Sequence, residues 1–164
     1  MNTVSIPHLV EQLATALTQR GQMMATAESC TGGLIAAACT ELSGSSEWFE
    51  RGFVTYSNAA KTALLGVPEA LIAEHGAVSE PVARAMAAGA LLNSRAQLSV
   101  AVTGVAGPTG GSADKPVGTV WLAWATPTGV TAERDRFPGD RAAVRHATVV
   151  KALAGLLVQL PPVG

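Results

Sequence analysis

Residues 27–33, Ala-Glu-Ser-Cys-Thr-Gly-Gly, constrain the fold most strongly, because they join an apolar run at 23–25 to an apolar helical pattern at 34–42. This arrangement predicts a strand, a tight turn and a helix. Ser29, Cys30 and Thr31 then lie at the amino end of a helix, where unpaired N–H groups favour an anion or a developing oxyanion. An ordinary turn capped by Ser29 or Thr31 is the alternative.

The rest of the chain continues the alternation of strands and helices. Strands are predicted at 22–28, 52–56, 97–103, 117–126 and 129–137, in the overall order α-β-α-β-α-α-β-β-β-α. Strands separated by helices indicate parallel neighbours, and the last two strands indicate a hairpin. We therefore predict a single domain over residues 1–164. Its fold class is α/β: a three-layer α/β/α sandwich with a mixed, mainly parallel sheet and a C-terminal antiparallel hairpin. The helix at 32–42 is apolar almost all round and is expected to be buried.

Composition limits the classes of partner. Hydrophobic residues make up 48% of the 164 residues and charged residues 14%, which predicts a homodimer or larger homo-oligomer. A net charge of −1 and 4% aromatic residues argue against nucleic acid as a partner. We expect no membrane span and no secretory signal. Two cysteines make a disulfide framework improbable, so a reducing cytoplasm is the expected compartment. Cys30 and Cys39 lack metal-finger spacing, and no cluster of His, Cys, Asp and Glu has the spacing of metal ligands, so no metal is expected. No other cofactor is predicted.

Two glycine-bearing loops follow strands that are expected to be neighbours. They cover residues 29–33 and 103–112. Ligands of open α/β sheets bind beyond the carboxyl ends of the strands, where both loops are predicted to lie. Neither loop matches a dinucleotide-binding or Walker sequence. The second loop could also be a flexible connector.

Ser29 is the candidate nucleophile and needs a base. The three histidines, His8, His75 and His146, lie in positions that do not suggest a Ser-His-Asp triad. Lys61 is the better base candidate if burial lowers its pKa, and Tyr56 could join the relay or hold the lysine. The alternatives are a solvated Lys61, a core Tyr56, and Cys30 as the nucleophile. A thiol pointing into the core would be inert.

Arg141 and Arg145 stand four residues apart and share a helix face. Together they could grip a phosphate or a carboxylate. They could equally pair with Asp140, Asp135 and Glu133 in weak surface ion pairs.

Several segments together resemble the CinA C-terminal family in the same order over nearly the whole chain. They are TAESCTGG at 26–33, GSS at 44–46 with Trp48 and Phe49, GFVTYSN at 52–58 with Lys61, GAVSE at 76–80, GVAGP at 104–108, Gly110 with Gly111, KPVGTV at 115–120 and FPGDR at 137–141. The chain is most similar to the stand-alone form of the family, because it is too short for the additional N-terminal domain of longer relatives.

The resemblance implies an amidohydrolase that converts nicotinamide mononucleotide to nicotinic acid mononucleotide and ammonia in pyridine nucleotide recycling. It implies Ser29 as nucleophile with Lys61 and Tyr56 as base relay. Backbone N–H groups near residues 31–33 or at Gly104 would receive the oxyanion charge. The implied substrate-binding residues are Thr31, Gly32, Gly33, Thr103, Gly104, Gly107, Arg141 and Arg145.

Two other functions stay open at this point. The same loops could bind a nucleotide without reacting, in a regulatory module of the competence and damage-inducible proteins. The other open hypothesis is an amidase that acts on a different small amide.

Overall fold

The computed structural model describes residues 4–162. Its helices are α1 (Ile6–Arg20), α2 (Leu34–Thr40), α3 (Asn58–Leu65), α4 (Glu69–His75), α5 (Glu80–Leu92) and α6 (Arg141–Gln159), with a short 3-10 helix at Ser45–Glu47. Its strands are β1 (Met24–Glu28), β2 (Phe49–Val54), β3 (Leu98–Gly104), β4 (Thr119–Thr126) and β5 (Gly129–Arg136).

The strands form one sheet in the order β2-β1-β3-β4-β5. β1 pairs in parallel with β2 and β3, whereas β4 is antiparallel to both β3 and β5. Four strands therefore run in one direction and β4 alone is reversed. The predicted mixed, mainly parallel sheet with a C-terminal antiparallel hairpin is confirmed.

Helices cover both faces of this sheet, so the predicted three layers are present. On one face α1, α2 and α6 bury a cluster that includes Leu13, Ile35 and Leu153. On the other face α3, α4 and α5 bury a cluster that includes Leu65 and Met86. Strand β3 is buried along nearly its whole length, as its uninterrupted apolar sequence predicts.

Helix α2 differs from its prediction. It covers residues 34–40 and buries only Ile35 and Cys39, while Leu34 is 40% exposed. The physical reason is its position beside β2, which is an edge strand. Only one face of α2 has neighbours to pack against, and the small alanine side chains leave the opposite face open.

The carboxyl ends of β1, β2 and β3 lie at the same edge of the sheet. Glu28, the last residue of β1, pairs with Val54 of β2 and Val102 of β3. The segments that follow these strands are therefore brought together, as expected for a ligand site in an open α/β sheet. No helix in the described range is both long enough and apolar enough to cross a bilayer.

Candidate active site

Ser29 begins the turn that follows β1, and neighbouring strands fix its backbone. Its N–H donates to the carbonyl of Val102 at 3.1 Å, and the preceding carbonyl, of Glu28, accepts from the Thr55 N–H at 2.8 Å. The side chain is partly exposed. These bonds place the Ser29 hydroxyl on the sheet face that is covered by α3, with access to solvent.

Lys61 reaches this hydroxyl from α3. Ser57 caps that helix by accepting from the Ala60 N–H at 3.0 Å, as its sequence predicts. One turn later, Lys61 Nζ lies 3.1 Å from Ser29 Oγ and 3.2 Å from the Thr55 carbonyl. The two side chains that we expected to meet, 32 positions apart in the sequence, are thus in hydrogen-bond contact.

Burial gives this lysine unusual properties. Lys61 is 1% exposed, and desolvation by the surrounding protein lowers its pKa below the ordinary lysine value. In the described part of the chain no carboxylate forms a salt bridge with it. A neutral amine beside a serine hydroxyl can accept the hydroxyl proton, which is the chemistry of a general base.

Cys30 is poorly suited to be the nucleophile. It is 6% exposed, and burial together with the Glu28 charge raises the pKa of its thiol to about 11. The thiol stays protonated near neutral pH, and the thiolate is the reactive form.

Tyr56 occupies a different place from the one we expected. Its side chain is 63% exposed, and its hydroxyl accepts a hydrogen bond from Arg141 at 3.3 Å. The described contacts of Lys61 are instead Ser29 and Thr55. Neighbouring residues of an extended chain point in opposite directions, so the Thr55 side chain is buried and the Tyr56 side chain turns outwards.

Glu28 is a site residue that the sequence analysis missed. It is fully buried, and its carboxylate accepts from Thr31 Oγ1 at 2.5 Å and from the N–H groups of Ile35 at 2.8 Å and Ala36 at 3.0 Å. The amino end of α2 is therefore capped by the protein's own carboxylate. The N–H groups of Ile35 and Ala36 are therefore not available to an external anion, which narrows the expectation that this helix end receives one. The signal available in the sequence was a glutamate ending an apolar strand, three residues before a threonine.

Thr31 and Thr103 do not present their side chains to a ligand. Thr31 is fully buried against Glu28, and Thr103 is 1% exposed with its hydroxyl donating to the Ala77 carbonyl at 2.9 Å. Both hydroxyls have acceptors inside the protein, so any contact of these two residues with a substrate would be made by their backbone groups. Through these bonds the two residues fix the ends of β1 and β3.

We expect the Glu28→Gln variant to lose about 2–3 kcal/mol of unfolding free energy. A carboxamide offers one acceptor oxygen where the carboxylate offers two, and its NH2 group would face a backbone N–H. Urea denaturation followed by circular dichroism measures the loss. Thr31→Val, which removes one donor only, is the control and should lose about 1 kcal/mol. Equal stability of Glu28→Gln and the unmodified protein would contradict this account of the cap.

Gly32 and Gly33 shape the remainder of the turn. Their φ angles are +59° and +110°, in the region that side chains rarely adopt. A Cβ on Gly32 would lie 3.6 Å from an Arg145 nitrogen, and one on Gly33 would lie 3.5 Å from Val54. In the described range, the Gly33 N–H has no hydrogen-bond acceptor, whereas the Gly32 N–H donates to the Ser29 carbonyl.

Both predicted arginines reach this region from the first turns of α6. Asp140 caps the helix by accepting from the Ala143 N–H at 2.9 Å. Arg141 donates to the Gly107 carbonyl at 3.0 Å and to Tyr56. Arg145 donates to the carbonyls of Cys30 and Thr31, both at 3.2 Å. Neither guanidinium forms a salt bridge with Asp140, Asp135 or Glu133 in the described structure.

A cavity of about 660 Å³ lies beside these arginines, lined by Ala106, Pro108, Val117, Gly139, Asp140, Arg141, Ala142 and Arg145. Its size falls within the usual range for small-molecule sites. Arg145 joins the cavity to the Ser29 turn, because the same side chain lines one and contacts the other.

The loop at residues 105–118 forms the opposite wall of the cavity. The Val105 N–H donates to Thr119 at 2.9 Å, the Gly118 N–H donates to Val105 at 2.8 Å, and Lys115 Nζ donates to the His75 carbonyl at 2.8 Å. The loop is therefore anchored at its base and near its far end. A Cβ on Gly104 would lie 2.7 Å from Val120, and one on Gly107 would lie 2.4 Å from Val117. Both positions require glycine for close packing.

No group of three or more His, Cys, Asp or Glu residues within the described range is arranged to hold a metal ion.

Fold and geometry together define an α/β protein with a partly exposed serine bonded to a buried lysine, next to an arginine-lined cavity. The model of the CinA C-terminal domain family matches residues 7–160. The chain therefore belongs to this family.

Individual relatives agree over nearly their whole lengths. The chain is 52% identical over 160 residues to the nicotinamide-nucleotide amidohydrolase PncC of Escherichia coli (strain K12), covering 97% of each protein. It is 57% identical over 152 residues to the protein of the same name from Pseudomonas putida, covering 93% of this chain and 95% of that one. Among solved structures, the competence/damage inducible protein CihA from Agrobacterium tumefaciens aligns with a TM-score of 0.92 and 49% identity. That alignment covers 96% of this chain and 98% of the other.

Proposed function

We propose that this protein hydrolyses the carboxamide of nicotinamide mononucleotide to nicotinic acid mononucleotide and ammonia. The observation that carries the proposal is the 3.1 Å contact between Ser29 Oγ and the amine of buried Lys61. The substrate class is supported by relatives that carry the name nicotinamide-nucleotide amidohydrolase at 52% and 57% identity.

The reaction proceeds through an acyl-enzyme. Neutral Lys61 takes the proton from Ser29 Oγ as this oxygen attacks the carboxamide carbon, and the carbonyl electron pair moves to oxygen. When the tetrahedral intermediate collapses, the carbon–nitrogen bond breaks and the lysine ammonium passes its proton to the leaving amine, which departs as ammonia. Water then attacks the ester with Lys61 again as base, which releases the carboxylate product and restores the serine hydroxyl.

The oxyanion needs hydrogen-bond donors close to Ser29. Two N–H groups at the start of α2 are already bonded to Glu28, and that of Gly32 is bonded to Ser29. Gly33 is partly exposed, and its N–H is without an acceptor in the described structure. We assign this N–H the role of oxyanion donor, a role whose loss typically lowers the rate by about 10²–10³.

The proposed proton relay is Lys61 alone. Tyr56 is assigned to the mouth of the site, because its hydroxyl contacts Arg141 and its side chain is exposed. Arg141 is assigned to the 5′-phosphate, since it lines the cavity and its guanidinium has donors beyond those used by Gly107 and Tyr56. Gly104 and Gly107 allow the loop to pack closely behind the nucleotide.

Ammonia release by the purified protein tests the proposal. The substrates are nicotinamide mononucleotide, nicotinamide riboside, nicotinamide and unrelated small amides such as asparagine. We expect the highest kcat/KM with the mononucleotide. Calorimetric binding of the mononucleotide without turnover would instead support a regulatory nucleotide-binding module. If only another amide is hydrolysed, the proposed amidase mechanism stands and that amide takes the place of nicotinamide mononucleotide as the substrate.

We also propose that the chain self-associates. Among the described residues, Val54 on edge strand β2 and Leu64 on α3 are 49% and 48% exposed, and the outer side of β2 has no strand partner. Light scattering is expected to give at least twice the 16.6 kDa chain mass. A monomer throughout the micromolar range would contradict this prediction.

A further inference from the structure

We propose that Arg145 is a positioning residue that holds the Ser29 turn in its reactive geometry, and that the phosphate is left to Arg141. This inference rests on the proposed function, because its first test measures hydrolysis of the proposed substrate. It separates two arginines that the sequence alone presents as equivalent, since they stand one helical turn apart on the same face of α6.

The contacts of Arg145 are directed at the turn. Its Nε donates to the Cys30 carbonyl and its second nitrogen donates to the Thr31 carbonyl, each at 3.2 Å. These carbonyls belong to consecutive residues immediately after Ser29. The planar guanidinium binds two acceptors at once with a fixed spacing, which a lysine ammonium does not reproduce. A Cβ on Gly32 would lie 3.6 Å from the guanidinium, which is an ordinary contact distance, so the positive φ of +59° rather than lack of space favours glycine at this position.

Glu28 binds the same turn, but through hydroxyl and N–H groups rather than through carbonyls. Its carboxylate accepts from Thr31 Oγ1 and from two N–H groups of α2, so the turn lies between a buried anion and a partly buried cation. Thr31 is bonded by both, through its hydroxyl to Glu28 and through its carbonyl to Arg145. Loss of Arg145 leaves the Glu28 bonds in place. The fold is therefore expected to survive while the orientation of Ser29 towards Lys61 loosens.

Arg141 has a different set of partners. It donates to Gly107 in the cavity loop and to the exposed Tyr56 hydroxyl, and its described hydrogen bonds do not include the Ser29 turn. Substitution of a residue that binds the phosphate should weaken the binding of phosphorylated substrates only. Substitution of a positioning residue should lower the rate with every substrate, since a displacement of the reacting group by about 1 Å can lower the rate by about 10².

Arg145→Gln and Arg141→Gln are compared with nicotinamide mononucleotide and with nicotinamide riboside, which lacks the phosphate. For Arg145→Gln we expect kcat to fall about 10²-fold on both substrates, with the ratio of their kcat/KM values unchanged. For Arg141→Gln we expect a higher KM for the mononucleotide and a smaller preference for it over the riboside. Arg145→Lys should recover less than about a tenth of the lost kcat, because lysine lacks the two-pronged donor. Thermal denaturation of each variant shows whether the fold is retained.

A second measurement does not depend on the substrate. The rate at which phenylmethylsulfonyl fluoride sulfonylates Ser29 Oγ with release of fluoride, followed by mass spectrometry, reports the reactivity of this hydroxyl directly. It should fall in Arg145→Gln and stay unchanged in Arg134→Gln, which removes an exposed arginine of β5. Ser29→Ala confirms the labelled position.

The outcomes separate the two proposals. A rise in KM confined to the mononucleotide in Arg145→Gln, with normal kcat and normal labelling, would make Arg145 a phosphate ligand and overturn the inference. Normal kcat on both substrates would also overturn it. If the unmodified protein releases no ammonia from either substrate, the proposed function fails, and the labelling rates alone decide the role of Arg145. If Arg145→Gln does not fold, Arg145→Lys takes its place in both assays, and full kcat and full labelling in that variant would refute the positioning role.

Discussion

Ser29→Ala is expected to lower kcat for nicotinamide mononucleotide by about 10⁴-fold or more, which is the scale seen when the nucleophile of a hydrolase is removed. The reason is that no other nucleophile lies at the same position: Cys30 is buried, and its pKa of about 11 keeps the thiol protonated. Steady-state ammonia release measures the change, and the acyl-enzyme should disappear from mass spectra of the trapped reaction.

The matched control is Ser46→Ala, which removes an exposed hydroxyl from the 3-10 helix at Ser45–Glu47 and should leave kcat unchanged. Circular dichroism should show the same fold for both variants. Full turnover by Ser29→Ala would assign the nucleophile elsewhere and remove the basis of the proposed mechanism.

Lys61→Met is expected to lower kcat about 10²–10⁴-fold, the usual contribution of a general base. Methionine keeps an unbranched side chain of similar length in the buried position but cannot accept a proton. Lys151→Met is the control, because Lys151 lies in a surface ion pair with Glu133 at 2.8 Å, on the opposite side of the sheet from α3. It should leave kcat/KM unchanged.

The pH dependence of the unmodified protein gives an independent test of Lys61. The neutral amine is the active form, so kcat/KM should rise with pH through the pKa of this group. Desolvation lowers that pKa below the ordinary value of about 10.4, so the rise should be centred below it. Folding stability should also rise with pH between the lowered and the ordinary value, because the unfolded chain binds more protons in that range. A kcat/KM that shows no rise with pH anywhere below the ordinary lysine pKa of about 10.4, over the whole range in which the protein stays folded, would exclude Lys61 as the base.

Local patterns predicted most of the secondary structure because they arise from neighbouring residues. Serine and aspartate favour the position before a helix, and Ser5, Ser57 and Asp140 each form such a cap with a side-chain oxygen that accepts from an N–H three residues later. The central position of β3 follows from its apolar sequence, and the position of β5 at an edge follows from its charged residues. For α2 the apolar pattern overestimated burial, because the number of neighbours around a helix depends on its place beside the sheet.

The site was predicted less completely. Helical spacing placed Arg141 and Arg145 on one face, yet the first contacts Gly107 and the second contacts Cys30, which lies 115 positions away in the sequence. The outward position of Tyr56 and the buried cap formed by Glu28 also depend on how separate segments pack.

The amino-acid sequence by itself determined the order of helices and strands, the glycine turns and the residue types that can perform acyl transfer, since these depend on local conformational preference and on intrinsic chemistry. Only the tertiary structure decided which groups touch. The contact of Lys61 with Ser29, the hold of Glu28 and Arg145 on one turn and the exposure of Tyr56 all arise from long-range packing. That packing brings distant segments together at one edge of the sheet, and it also removes the water that would otherwise keep the lysine charged.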